Sequence, residues 1–194
     1  MEPHPQPPVS PGRQKKHRQS LQILLSSETK EDPLSRFAVN ERACFEALAS
    51  ELYDEVWPLW RGRASMQISL QFLDEGRMEE LNGQYRHIHA PTDVLTFPLF
   101  ETDGRFVPDE DSGPLLLGDI LLCPPVIRKN AKEHAQPEQS ELALVVFHGM
   151  LHLLAWDHDT PEREAAMWSV QERYRDRFLE RLNRGPSREE EEEA

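Results

Sequence analysis

Three histidines carry the chemistry most readily read from this chain. The segment Phe147-His148-Gly149-Met150-Leu151-His152-Leu153-Leu154-Ala155-Trp156-Asp157-His158 places His148 and His152 four residues apart and His158 six further on. On a helix, side chains four apart leave the same face one turn from each other. Two imidazoles held that way can grip one zinc ion, with bonds of ~2.0–2.1 Å. His158 lies just past the end of the apolar periodicity, where the chain turns back and can bring a third nitrogen. Three histidines leave the fourth tetrahedral position open to water, which marks a catalytic zinc rather than a structural one. A closed structural site, with Asp157 or Cys123 as fourth ligand, is the alternative. Asp157 is read first as an acceptor that orients one of the imidazoles. Burying such histidines among Leu151, Leu153 and Leu154 without a partner would be costly, which argues against ordinary core residues.

The offsets 0, 4 and 10 equal those of the metzincin pattern H-E-x-x-H-x-x-G-x-x-H, so a metzincin-like zinc helix is expected. Two positions depart from it. The glutamate that serves as general base in a peptidase is Gly149 here, so zinc-peptidase chemistry lacks its proton acceptor. The glycine that turns the chain is Ala155, which at a left-handed position would be strained by about 1 kcal/mol.

A second stretch, Leu81-Asn82-Gly83-Gln84-Tyr85-Arg86 followed by His87-Ile88-His89-Ala90 and Pro91-Thr92-Asp93-Val94-Leu95-Thr96-Phe97-Pro98, adds a cation. Arg86 ends a predicted helix. Its rigid fork of donors could clamp a phosphate and steady the charge of a pentavalent transition state. The competing account is charge complementarity at a helix C-terminus. His87 and His89 read as exposed loop residues. Thr92 and Asp93 read as a pair that hydrogen-bonds locally at the start of a strand. Gly118, inside a strand pattern, marks close approach of a ligand or another backbone.

The elements that must position these residues follow from periodicity. Strands are predicted at Leu21–Leu25, Ile68–Leu73, Val94–Leu99 and Leu115–Leu122. Helices are predicted from Leu34 to about Val56, from Asp74 as cap to about Tyr85, from about Pro125 to Glu133 and from about Ser140 to Leu154. A final helix starts with Thr160 as cap and Pro161 at its first position, and runs to about Leu182. The connection from Phe100 to Pro114 is acidic, holds two glycines and reads as a mobile loop. The fold class is α+β: a single domain with a small mixed sheet of about four strands and about five helices.

Length and charge set the frame. The 194 residues suit one domain, read as 21–183, between a proline-rich disordered arm (1–20) and an acidic disordered tail (184–194). The arm is basic, with Arg13, Lys15, Lys16 and Arg18 against Glu2, and the tail ends in Glu189 to Glu193. The net charge is −13, and the body between the tails is itself acidic, which argues against generic coating of nucleic acid. Two cysteines far apart suggest no disulfide framework and fit a reducing compartment. No apolar run reaches the ~18 residues of a membrane span, and no apolar stretch precedes Leu21. A soluble, cytoplasmic protein without membrane partners is expected.

Taken together, these motifs resemble the YbeY family of bacterial zinc endoribonucleases, the ribosomal-RNA maturation factors. Leu81 to Arg86 matches the family's Leu-Asn-x-x-Tyr/Phe-Arg. Pro91 to Pro98 matches Pro-Thr-Asp-Val-Leu-Ser-Phe-Pro with Thr96 for serine, and Leu117 to Ile120 matches Leu-Gly-Asp-Ile. His148 to His158 matches the family's histidine segment with Ala155 for glycine and Trp156 for tyrosine, and His87-Ile88-His89 replaces the usual glycine and charged residues. The four motifs occur in the family's order and span residues 81–158. The resemblance implies one zinc on His148, His152 and His158, with Arg86 as a key active-site residue. It implies cleavage of single-stranded RNA, maturation of the 16S rRNA 3′ end and ribosome quality control, with ribosomal RNA and small-subunit ribosomal proteins as partners. The basic residues available for RNA include Arg36, Arg42, Arg61, Arg63, Arg77, Arg86, Arg128, Lys129 and Lys132. A non-enzymatic assembly factor with a structural zinc is the rival reading, and a metallopeptidase is a third, weakened by Gly149.

Overall fold

The structure, a computed structural model, describes residues 20–29, 31–59, 65–108 and 114–184. Apart from Ser20 and Arg184, the expected arm and tail lie outside the described residues. Chain order is β1 (Ser20–Ser27), α1 (Pro33–Asn40), α2 (Arg42–Val56), β2 (Ser65–Phe72), α3 (Glu75–Arg86), β3 (Val94–Pro98), β4 (Glu101–Thr102), β5 (Arg105–Phe106), β6 (Leu115–Leu122), α4 (Pro124–Glu133), α5 (Glu138–His152) and α6 (Pro161–Arg184). Four strands form one sheet in the order β1-β2-β6-β3. The first three run parallel and β3 lies antiparallel along the edge. The α+β class and the mixed four-stranded sheet are those expected from the sequence. No helix among the described residues is long and apolar enough to cross a membrane.

Two expectations need correction. The stretch from Leu34 to Val56 is two helices, so the described residues hold six helices rather than about five. Asp32 caps α1 by accepting the Leu34 N–H at 2.9 Å, Pro33 takes the first helical position, and the helix stops at Asn40. Asparagine competes for backbone partners and holds a helix poorly, and Glu41 (φ −93°, ψ 14°) carries the chain into α2. The connection from Phe100 to Pro114 contains a hairpin, β4–β5, rather than loop throughout. Its turn residues Asp103 and Gly104 both have positive φ (51° and 69°), as a two-residue hairpin turn requires. Phe106 meets the Trp57 ring edge-on at 4.7 Å, which fastens the hairpin to the end of α2.

The main core lies on one face of the sheet. Met66, Ile68, Leu70 and Phe72 point inward from β2 by strict alternation into a core shared with α1, α2 and α5, and α6 packs behind α5 and α2. A smaller cluster of Leu73, Met78, Leu95, Leu121 and Cys123 fills the other face beneath α3. Almost every side of α5 is buried, because it lies between the sheet and α6. Strand β6 changes phase midway. Leu115 and Leu117 face the main core, and so do Ile120 and Leu122, because the register against β2 slips by one residue between them. Gly118 (φ 146°) sits at this bulge. A Cβ there would fall 2.2 Å from the Phe97 carbonyl oxygen, so the close approach expected of this glycine is to another backbone.

Candidate metal centre and its cleft

His148 and His152 leave the last two turns of α5, and His158 returns from the loop that follows. One ring nitrogen from each lies within 4.8 Å of those of the other two, and the Nε2 atoms of His148 and His152 are 3.0 Å apart. The chain reaches this arrangement through the way α5 ends. The Ala155 N–H donates to the His152 carbonyl (2.9 Å) and the Trp156 N–H to that of Leu151 (3.2 Å). This is a Schellman cap, with Ala155 left-handed at φ 58°. The strain expected at Ala155 is therefore present. Ala155→Gly should raise the melting temperature by about 2–4 °C, the equivalent of ~1 kcal/mol in a domain of this size. Thermal melts with metal content measured in parallel check this, because zinc binding should not change.

The Met150 carbonyl, left over by that cap, accepts the hydroxyl of the fully buried Tyr53 at 3.0 Å, so α2 fixes the end of α5. Gly149 faces the sheet: a Cβ would lie 2.9 Å from Cγ2 of Ile120. The position where a peptidase carries its glutamate thus packs against β6, and a longer side chain there would collide with the core.

The cluster's protonation suits a cation. Burial is the main cause that lowers the His148 and His152 pKa values, opposed at His148 by a hydrogen bond to Gln171. His152 is pushed down to about 4 by burial and by its two imidazole neighbours. Both rings are neutral at neutral pH and offer lone pairs. The Oε1 of Gln171 lies 2.8 Å from Nδ1 of His148. The amide oxygen can only accept, so Nδ1 carries the proton and Nε2 is left for a metal. Three imidazoles around one point form a donor set that fits zinc. Gln171 belongs to the buried stripe of α6, with Met167, Val170, Tyr174 and Phe178. The sequence reading missed it, and its one signal was an amide inside that apolar stripe. Gln171→Leu should weaken metal binding about 10- to 100-fold, the usual cost of losing an orienting partner. Competition with a metal chelator would measure it.

The expected roles of Asp157 and Cys123 differ in the structure. Asp157 Oδ1 accepts the His158 backbone N–H at 2.8 Å, so it steadies His158 through the main chain rather than through the ring. Cys123 is fully buried in the cluster beneath α3 and does not join the histidines, and its thiol pKa is raised by burial. Among the described residues the three histidines are the one cluster of ligand atoms that could hold a metal ion.

The cluster opens into a cleft of about 430 Å³ that Arg86 also lines. Asp74 caps α3 by accepting the Arg77 N–H (2.8 Å), and His87 ends it in the left-handed region at φ 59°. The buried Asn82 donates from Nδ2 to the Ala90 carbonyl at 2.7 Å, which folds the following loop back on the helix. Arg86 is exposed and has no ion pair or side-chain hydrogen bond among the described residues, so its guanidinium is free for a ligand. His87 and His89 are exposed and do not line the cleft; His89 lies over Gly83. Thr92 and Asp93 hydrogen-bond locally as expected: Asp93 Oδ1 accepts from the Thr92 hydroxyl (3.1 Å) and the Val94 N–H (2.9 Å).

Of the basic residues considered for RNA, Arg42, Arg77, Arg128 and Lys129 are paired with Glu46, Glu80, Asp32 and Glu133. Arg61 and Arg63 lie outside the described residues. Arg86 is the one arginine or lysine among the described residues that lines the cleft.

Residues 34–179 match the family model described as Endoribonuclease YbeY. A protein of that name from Rhodococcus opacus is 38% identical over 119 residues, covering 61% of this chain and 66% of its own length, just under two-thirds. Another from Lachnospira eligens is 33% identical over 153 residues, covering 71% of this chain and 88% of its own. The solution structure of TM1509 from Thermotoga maritima superposes with a TM-score of 0.52 at 26% identity, over 86% of this chain and 93% of that one. With one family model spanning most of the helices and strands that build the cleft, the chain belongs to the YbeY family.

Proposed function

We propose that this chain is a zinc-dependent endoribonuclease. It cleaves single-stranded RNA and acts in the cytoplasm in 16S rRNA 3′-end maturation and ribosome quality control, with ribosomal RNA and small-subunit ribosomal proteins as partners. The observation that carries the reading is the convergence of three imidazoles on a cleft that also holds an unpaired arginine. Membership of a family whose curated relatives are named endoribonucleases supports it.

His148, His152 and His158 would hold the metal, and Gln171 keeps His148 in the tautomer that leaves Nε2 free. When bound, zinc supplies Lewis acidity and acidifies a water at neutral pH. Arg86 would clamp the scissile phosphate with parallel N–H donors and stabilise the charge that grows on its oxygens. Gly149 has no side chain to act as a base, and its position packs against Ile120.

The test is to purify the chain, count its metal, and offer it a single-stranded 16S 3′-end RNA beside the same sequence in a duplex. About one zinc per chain, with cleavage of the single strand that a chelator abolishes, supports the proposal. One zinc without cleavage favours an assembly factor with a structural zinc. No metal overturns the assignment of the histidines.

A further inference from the structure

An acidic body with one arginine lining its cleft among the described residues needs a source of RNA affinity other than phosphate charge. The cleft carries one in its aromatic lining. Tyr85, immediately before Arg86 in the last turn of α3, lines the cleft and is 56% exposed. Its place follows from the helix: Met78 and Asn82 form the buried stripe of α3, and Tyr85 lies one turn beyond Asn82 at the rim. The ring packs against Phe97 of β3, with centroids 4.9 Å apart and planes at 71°. That contact steadies the ring and leaves more than half of the residue uncovered. The Tyr85 hydroxyl makes no hydrogen bond among the described residues, so no polar role explains the exposure.

We propose that Tyr85, braced by Phe97, is a stacking platform for one unpaired nucleobase, on the nucleotide adjoining the phosphate that Arg86 holds. The inference rests on the endoribonuclease reading and adds its base subsite. Every base has a π-face, so such a platform tolerates sequence. A base already paired and stacked in a duplex cannot also lie on Tyr85. The preference for single strands is then set at this residue, and a basic groove is not required.

The test is equilibrium binding of a short fluorescein-labelled single-stranded RNA to the zinc-loaded chain, read by anisotropy. A matched set of oligomers carries one abasic ribose at successive positions. Tyr85→Leu should weaken binding of the intact RNA about tenfold, and Tyr85→Phe should stay within about twofold of wild type. One abasic position should cost wild type a similar factor and cost Tyr85→Leu nothing more. Wild type indifferent to every abasic position, or an abasic cost undiminished in Tyr85→Leu, overturns the platform. The abasic series on wild type needs no variant, so it stands even if Tyr85→Leu folds poorly. Cleavage that persists while these differences are missing overturns the platform alone. Zinc-loaded wild type that neither binds nor cleaves RNA overturns the endoribonuclease reading along with it.

Discussion

Alanine in place of His152 is expected to remove metal and cleavage together. The three rings form a triangle: His152 Nε2 lies 3.0 Å from that of His148, and its ring centroid is 5.5 Å from that of His158. Without it, two nitrogens from separate segments must hold the ion, and one of them, on His158, is exposed. Loss of an outer partner alone weakens zinc sites by up to about 100-fold, and loss of a direct ligand should exceed that. Fold stability without metal should change little, because the substitution removes a half-buried polar ring from beside two others. Added zinc should therefore raise the melting temperature of wild type, by linkage to binding, and leave that of His152→Ala unmoved. Metal analysis after dialysis and melts at several zinc concentrations measure both effects. A variant that keeps one zinc per chain would show that the histidines are not the ligands.

Arg86→Ala separates chemistry from metal binding. Arg86 is exposed, has no ion pair or side-chain hydrogen bond among the described residues, and lies on a different element from the histidines. Zinc content and melting temperature should stay at wild-type values. Removal of one preorganised donor to developing charge lowers turnover by about 10²- to 10³-fold in other enzymes, and a comparable drop is expected in RNA cleavage here. Arg86→Lys should recover only part of it, since an ammonium cannot offer two parallel donors. A wild-type rate in Arg86→Ala would exclude the guanidinium from the reaction.

The histidine cluster was legible because its geometry is local. A four-residue offset on a helix fixes two rings, and the loss of apolar periodicity after Leu154 shows where the chain turns to bring the third. The start of α6 was legible for the same reason: the Thr160 Oγ accepts the Arg163 N–H at 3.3 Å, and Pro161 follows the cap directly. Gln171 was hidden because it lies 23 residues from His148, and only the packing of α6 on α5 brings them together. The hairpin had a local signal, Asp103-Gly104, that the acidic composition around it obscured. The break at Glu41 was masked because the apolar stripe continues through it from Phe37 and Ala38 to Phe45 and Leu48. Asp157 supports His158 through the main chain instead of through a ring, and spacing cannot show whether a carboxylate meets a ring or a backbone N–H.

The phase change in β6 bears on how relatives of this chain can differ. Ile120 lies against Gly149 because one extra residue at Gly118 has already turned the second half of the strand over. A strand with regular pairing would direct Asp119 toward α5 instead. The spacing from Leu115 to Leu122 is therefore not free to drift over evolutionary time. Insertions and deletions should collect in the connections around the sheet and avoid this strand. An alignment that opens a gap between those two residues has the wrong register, whatever score it gains elsewhere.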